Sequence, residues 1–564
     1  MGLIDFFRKK RLNRLEKDLR MLQNNISFNP TKATLNIEQY LSSDSFTQRI
    51  TEYKVWNTGN SYLLRRFYTA GGGAEDIYRT LNYFWRNAPA EFIKKHSGIP
   101  QQISNKNGVI IFGGDFKVSV NVYKRKEDGT ILSDIDEAKS KLATDTLNAI
   151  IEKSKIMESL RKQAVIDSWC GHSLAKLNYD LTLSQYPIYE VYDLTQAEVV
   201  SQRGIVTGHI FKSYYKKSGT DYCFEEEYTT TPSGEACILN RLYKLKSDGE
   251  KAIVPLSTIK ETSGLQPIFI FRGLNDSIGF SKPNKLPNNE YSSSPYGASD
   301  YQGAVDSFDA LDEAYSELWS ELRNNKTIRY IPDIMIPKDK NGKSQIRNMG
   351  FITNYQTVEG SLDQEAKNKI DIQQIDDKTE SILNKYKNAL VTAINNAGLS
   401  PLALGITGLE AINAGENSQK ERNRVTLETR KDKIENYWKP YLKNFFTQLL
   451  AFNNWMTKTA GAKQTLDNFD IEFDNCDIQL DFGNYIVEDE TNIISRWGAA
   501  KSAGIASLDT CVRELHPDWT EEQILNEINI IKYEQGMDLD NPNNLPELTG
   551  VEDNVNEETT EPNE

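Results

Sequence analysis

DYQGAVDSFDALDEAYSELWSEL, residues 300–322, shows two opposed faces when wound at about 100° per residue. Ala304, Phe308, Leu311, Tyr315, Leu318 and Leu322 fall on one side and form an apolar packing face. Asp306, Asp309, Glu313, Glu317 and Glu321 fall on the other, a carboxylate at every turn over about 22 Å. Like charges four residues apart repel by roughly a few tenths of a kcal/mol per pair, so an isolated helix gains nothing from this line. It is either an ordinary solvated face or a surface that repels something. Ser299 or Asp300 supplies an N-cap, and a helix over 300–325 is expected.

The surrounding chain bounds what such a helix serves. At 564 residues it holds two to four domains. Hydrophobic residues make up 38%, mean hydropathy is -0.58 and no apolar run approaches membrane-spanning length, so no membrane partner is expected. The start, MGLIDFFRKKR, lacks the apolar core of a signal peptide, and Phe6 stands where a myristoylation signal needs Ser or Thr. Cys170, Cys223, Cys237, Cys476 and Cys511 have no paired spacing and read as reduced, buried thiols. His96, His172, His209 and His516 are too dispersed for a metal site. A net charge of -14 argues against a general nucleic-acid-binding surface, which needs clustered Lys and Arg. An acidic protein still suits the passage of DNA, as opposed to its capture.

Along the chain, residues 1–50 read as polar helix, and 50–70 place Tyr53, Trp56, Leu64, Phe67 and Tyr68 at helical spacing around a Gly59-Asn60 break. Residues 115–124 alternate as a strand, and 134–177 read as helix. Residues 178–275 carry repeated strand signals, at 188–192, 205–215, 223–228, 237–245 and 267–272, divided by turns such as Lys217-Ser218-Gly219 and Pro232-Ser233-Gly234. Pro283, Pro287 and Pro295 mark 276–298 as a linker. Strands at 327–336 and 349–357 flank a hairpin-like turn at Asp339 to Lys343, and 378–397 is a second helix. Residues 416–455 read as one very long helix bent at Pro440, 471–482 as a strand or two, and 491–535 as a helical pair. From 537 onward every charge is acidic, the signature of a disordered tail. The fold class is α+β, mainly helical.

No catalytic constellation emerges, and neither an enzyme activity nor a cofactor is expected. Gly171-His172-Ser173-Leu174-Ala175 resembles half of a nucleophile elbow, but the closing Gly is missing, and a helix interior with small residues is the plainer reading. Asp470, Glu472, Asp474, Asp477 and Asp481 lack the spacing of a calcium loop and read as a solvated strand edge. No Gly-rich phosphate loop with its Lys-Ser/Thr occurs. Lys420, Arg424 and Lys431 share a helix face and are candidates to meet phosphates, although pairing with Glu421, Glu428 and Asp432 is the plainer reading.

The order of elements carries a resemblance. An aromatic segment, YKVWNTGNSYLLRRFY (53–68), is followed by a β region opening at CGHSLAKLNYDLTLSQYPIYEVYD (170–193). Then come YGASD (296–300), the acidic helix, a small β insertion and a returning helix. GLSPLALGI (398–406) and an extended helix with ENSQKERNRVTLETR (416–430) complete the series. This order resembles that of the portal proteins of tailed bacteriophages, over residues 40–535.

The resemblance implies a ring, usually of twelve copies, at one capsid vertex of the virion, assembled in the host cytoplasm. Double-stranded DNA passes through such a ring non-specifically. Terminase, the major capsid and scaffold proteins, and head-tail adaptor proteins are its implied partners. Residues 1–299 correspond to an N-terminal wing, 300–325 to a first stem helix, 326–375 to a clip and 376–397 to a second stem helix. Residues 398–417 correspond to a tunnel loop with Leu402, Leu404, Ile406 and Thr407 as candidates, 418–490 to a C-terminal wing and 491–536 to a helical crown. In that placement the five carboxylates line the channel and repel the duplex, which presents about thirteen phosphates over the same length. Phe308, Leu311, Tyr315, Leu318 and Leu322 then form the face that packs between subunits. The competing class is another virion component, a tail or baseplate scaffold without a DNA channel.

Overall fold

The computed structural model describes residues 43–69, 83–87, 93–114, 116–126, 131–246, 251–290, 295–324, 328–332, 335, 336, 338, 354–358, 371–373, 379–406, 423–464, 475–483, 490–516 and 519–534. Among the described residues the class is mixed, about 49% helix and 26% strand, in agreement with an α+β reading. Two units are present, residues 1–483 and 484–564, and each is described by itself.

The first unit opens with α1 (Ser43–Asn57) and α2 (Ser61–Thr69), split where expected by Gly59 at φ 64°. The Asn60 side chain accepts the Tyr62 amide at 2.9 Å and so caps α2. Trp56 Nε1 donates to Tyr68 Oη (2.8 Å), which donates to Glu52 (2.7 Å), so the aromatic stripe buries its polar tips in pairs. The single turn α3 (Phe84–Asn87) and α4 (Ile99–Phe112) follow. Strand β1 (Lys117–Arg125) and the short β2 (Ile131–Ile135) lead to α5 (Glu137–Lys153), capped by Asp136.

The helix expected over 134–177 is in fact two helices and a strand. Lys155, at φ 51°, separates α5 from α6 (Ile156–Cys170), and Gly171, at φ 84°, ends α6. A Cβ on Gly171 would lie 2.5 Å from the Ser299 amide nitrogen, so only glycine fits this crossing. Residues His172–Asn178 are therefore β3, neither helix interior nor elbow, and Ser173 is buried with its hydroxyl bonded by Gln163 at 3.0 Å.

The β region holds more strands than the alternation disclosed. After β4 (Ile188–Asp193) come β5 (Ala197–Gln202), β6 (Ile205–Lys217), β7 (Thr220–Thr230), β8 (Glu235–Leu245), β9 (Lys251–Val254) and β10 (Ile268–Asn275). Strands β10-β8-β7-β6-β5 form an antiparallel sheet with β9 also on β8. The β6–β7 turn falls at Ser218 and Gly219, both at positive φ, as a tight hairpin requires. The expected linker at 276–298 is instead core. It contains β11 (Gly279–Pro283), which pairs with β3 in the sheet β11-β3-β4, and its Asn284, Tyr296 and Ala298 are buried.

Next are α7 (Val305–Asn324), the small strands β12 (Ile328–Pro332), β13 (Asn354–Val358) and β14 (Asp371–Gln373), and α8 (Thr379–Asn396). β12 runs parallel to β13, in the register Ile328↔Asn354, so the two are not the arms of a hairpin. The long helix is interrupted: α9 (Arg424–Lys433), a π-turn at Ile434–Trp438 and α10 (Lys439–Trp455). Pro440 directly follows the π-turn in continuous helical backbone, and the widened turn accommodates its missing N–H. α10 buries Leu442, Phe445, Phe446, Leu449 and Phe452, with Phe445 4.5 Å from the Tyr189 ring and Trp455 4.9 Å from Phe271. Truncating Phe445 to Ala would cost about 3–5 kcal/mol. Finally β15 (Cys476–Asp481) pairs with β1.

Among its described residues the second unit has three helices where a pair was expected: α11 (Glu490–Ser502), α12 (Leu508–Leu515) and α13 (Glu521–Glu534). Ser507 caps α12, and Val512, Ile524 and Ile528 form its small core. The expected polar N-terminal helix before Ser43 and the acidic tail fall outside the described residues.

Candidate channel-lining helix pair

Helices α7 and α8 run antiparallel. Asn396 Nδ2 donates to Ser307 Oγ at 2.8 Å, the Tyr315 and Tyr386 rings lie 5.7 Å apart, and Lys385 Nζ donates to Glu317 at 2.8 Å. The three small strands lie between them in sequence. A chain that leaves along one helix and returns along the other thus carries a small sheet at its turning point.

The five carboxylates do not share one environment. Asp309 is 4% exposed and accepts the amides of Phe84 (2.6 Å) and Trp85 (3.2 Å), so it faces its own chain and not a channel. Burial pushes its carboxyl up to about 7; the two amides pull the other way, and the charges of Asp312 and Glu313 add to the rise. Asp306 is exposed yet accepts the Tyr83 hydroxyl at 2.6 Å. Glu313 and Glu317 share Lys385, at 3.9 and 2.8 Å. Glu321 is half-exposed. Along this line Glu313, Glu317 and Glu321 remain available, offset by one lysine, while Asp306 is engaged by Tyr83.

The apolar face needs a similar correction. Phe308 and Leu311 are 0% exposed and are covered by the same chain, Phe308 standing 5.2 Å from Tyr301 and 5.8 Å from Trp56. Neither has surface left for a neighbouring subunit. Tyr315 and Leu318 are half-buried, and Leu322 is 49% exposed beside Trp319 at 41%. Only the distal end of α7 therefore presents apolar surface.

The helix starts at Val305, and Asp300 is not its cap. Asp300 is 1% exposed and accepts Lys433 Nζ and Ser168 Oγ at 2.7 Å each, with Asn284 Nδ2 at 2.9 Å, Asn107 Nδ2 at 3.1 Å and Lys285 Nζ at 3.4 Å. Burial alone would raise this carboxyl, but the lysine charges and hydrogen bonds outweigh it and hold it at about 2. Beside it Lys282 pairs with Asp167 at 2.7 Å and lies 4.0 Å from the Trp438 ring centroid.

Of the remaining candidates, Arg424 is exposed and pairs with Glu428 at 2.8 Å, Lys431 is exposed, and Lys420 lies outside the described residues. Lys433, which the helical stripe did not single out, is the buried cation of this helix. Leu402 and Leu404 lie in a 3₁₀ turn capped by Ser400, half-buried with Ile406, while Thr407 is outside the described residues. The turn is held to α9 by Thr426, whose hydroxyl accepts the Ser400 amide at 2.9 Å.

Sequence reasoning missed Asp312, which is 0% exposed and accepts Trp85 Nε1 (2.9 Å) and the Ser97 amide (2.8 Å) and bonds His96 Nδ1 (2.6 Å). The signal was present: Asp312 stands four residues after Phe308, on the border of the apolar arc. Among the described residues no cluster of His, Cys, Asp and Glu could hold a metal, and no helix is long and apolar enough to cross a membrane. No protein-family model matches this chain, and no curated protein matches it in sequence.

Proposed function

We propose that this chain is the subunit of a viral portal ring, a conduit through which double-stranded DNA enters and leaves a capsid. The observation that carries the reading is the antiparallel pair α7–α8 with a small sheet between its arms, rooted in a large α+β body. Copies arranged around an axis would place these pairs side by side as a barrel wall. In this reading the exposed Trp319 and Leu322 supply apolar contact between neighbours.

Glu313, Glu317 and Glu321 are the residues that would face the duplex. Repulsion from Glu313 and Glu317 is reduced by Lys385, and the charge acts only across a gap of about 8 Å at physiological salt. The wall would therefore keep DNA unattached without a strong field, which suits passage in both directions. Terminase, capsid and scaffold proteins, and head-tail adaptors are the partners this assignment entails, and the chain would have a structural role without catalysis.

Negative-stain microscopy and mass photometry of the purified chain test the reading. Closed rings with a central hole of duplex width are expected, whereas a chain that stays monomeric under assembly-promoting conditions would overturn it. Replacing Glu313, Glu317 and Glu321 with Gln should leave rings intact and slow DNA packaging or ejection; unchanged passage would remove the electrostatic role.

A further inference from the structure

Four positions on one side of α7, Asp306, Asp309, Asp312 and Ser316, bind a single stretch of chain. Tyr83 Oη goes to Asp306 (2.6 Å), and the Phe84 and Trp85 amides go to Asp309 (2.6 and 3.2 Å). Trp85 Nε1, His96 Nδ1 and the Ser97 amide meet Asp312 (2.9, 2.6 and 2.8 Å), and the Lys95 amide meets Ser316 Oγ (2.9 Å). Asp309 and Asp312 are both buried, one turn apart, and among the described residues no lysine or arginine forms an ion pair with either of them. Lys94, an amine of that stretch, donates to the Trp85 carbonyl at 2.7 Å. His96, when protonated, offsets one of the two negative charges. The second must be neutralised by a proton or tolerated at a cost.

The groups facing this pair are few. Among the described residues they are Tyr83, Lys94 and His96 from the bound stretch, Glu52 and Tyr68 from α1 and α2, Tyr386 on α8, and Asp306 and Glu313 on α7 itself. We infer that Asp309 is a proton-operated latch: when it is protonated, residues 83–87 and 93–97 seat firmly on α7, and when it ionises their hold loosens. Burial raises the Asp309 carboxyl to about 7, which puts the transition near neutrality. The raised value fixes the sign. Its share of stability is complete below about pH 4, declines as pH rises, and is lost once pH passes about 7. The latch works within one chain and does not depend on ring formation.

Hydrogen exchange of peptides spanning 83–97, corrected for intrinsic rates and followed from pH 5.5 to 8.5, tests it. Wild-type protection should fall about tenfold or more over that range, the equivalent of one or more pKa units. Asp309→Asn, which keeps a neutral acceptor, should hold the acid-side protection throughout. His96→Gln should retain the wild-type slope. A flat wild-type profile, needing no variant, would overturn the latch. So would a slope that survives in Asp309→Asn, or one that disappears in His96→Gln, since the titrating group would then lie elsewhere.

Discussion

Asp300 and Asp309 are nine residues apart, both buried, and shifted in opposite directions. Asp300 meets two lysines along with neutral donors and is held at about 2. Asp309 accepts two backbone amides, has no ion-paired cation among the described residues, lies beside another carboxylate and rises to about 7. Burial acts upward on both; the charge of the neighbours decides the outcome. One site is a permanent ionic joint between α6, α9 and the 282–300 segment. The other is a joint whose strength depends on solution conditions.

The largest expected effect lies in the permanent joint. Lys433→Ala leaves Asp300 buried with Lys285 as its remaining cation and should lose about 3–5 kcal/mol in urea unfolding at pH 7. Asp300→Asn combined with Lys433→Met should recover much of that loss, because the buried charges are removed together and Lys285 is exposed enough to stay solvated. Asp312→Ala strips three donors from the second joint but strands no cation of fixed charge, and should cost about 1–3 kcal/mol. An equal loss in both experiments would break the comparison.

Acid titration sharpens it further. The Asp300 carboxyl is depressed, so its contribution is in place above about pH 4 and is lost as pH falls toward 2. Asp300→Asn should therefore flatten the acid-unfolding curve in that window only. The smallest effect belongs to the exposed bridge: Lys385→Ala should change stability by less than about 1 kcal/mol, and less still in high salt.

Legibility in the sequence followed periodicity. The break at Gly59-Asn60, the helix at 379–396 and the strands β6, β7 and β8 announced themselves through spacing and turn residues. β3 did not, because it is buried on both faces and does not alternate. β11 hid among prolines, and its burial is imposed by the close crossing of Gly171 and Gly297. The parallel register of β12 and β13 was equally invisible, since pairing direction leaves no local mark. For the candidate site, the helix and its return were readable. The error lay in treating every acid on the polar arc as solvated, when Asp309 had partners more than two hundred residues earlier in the chain.

β1 completes its sheet only with β15, in a register that joins Lys117 to Asp481. A ribosome must deliver more than 350 further residues before that edge is covered, so the body of the protein closes late in synthesis. Chains released before residue 476 would keep an open strand edge, and such fragments should be conspicuous targets for chaperones and for aggregation.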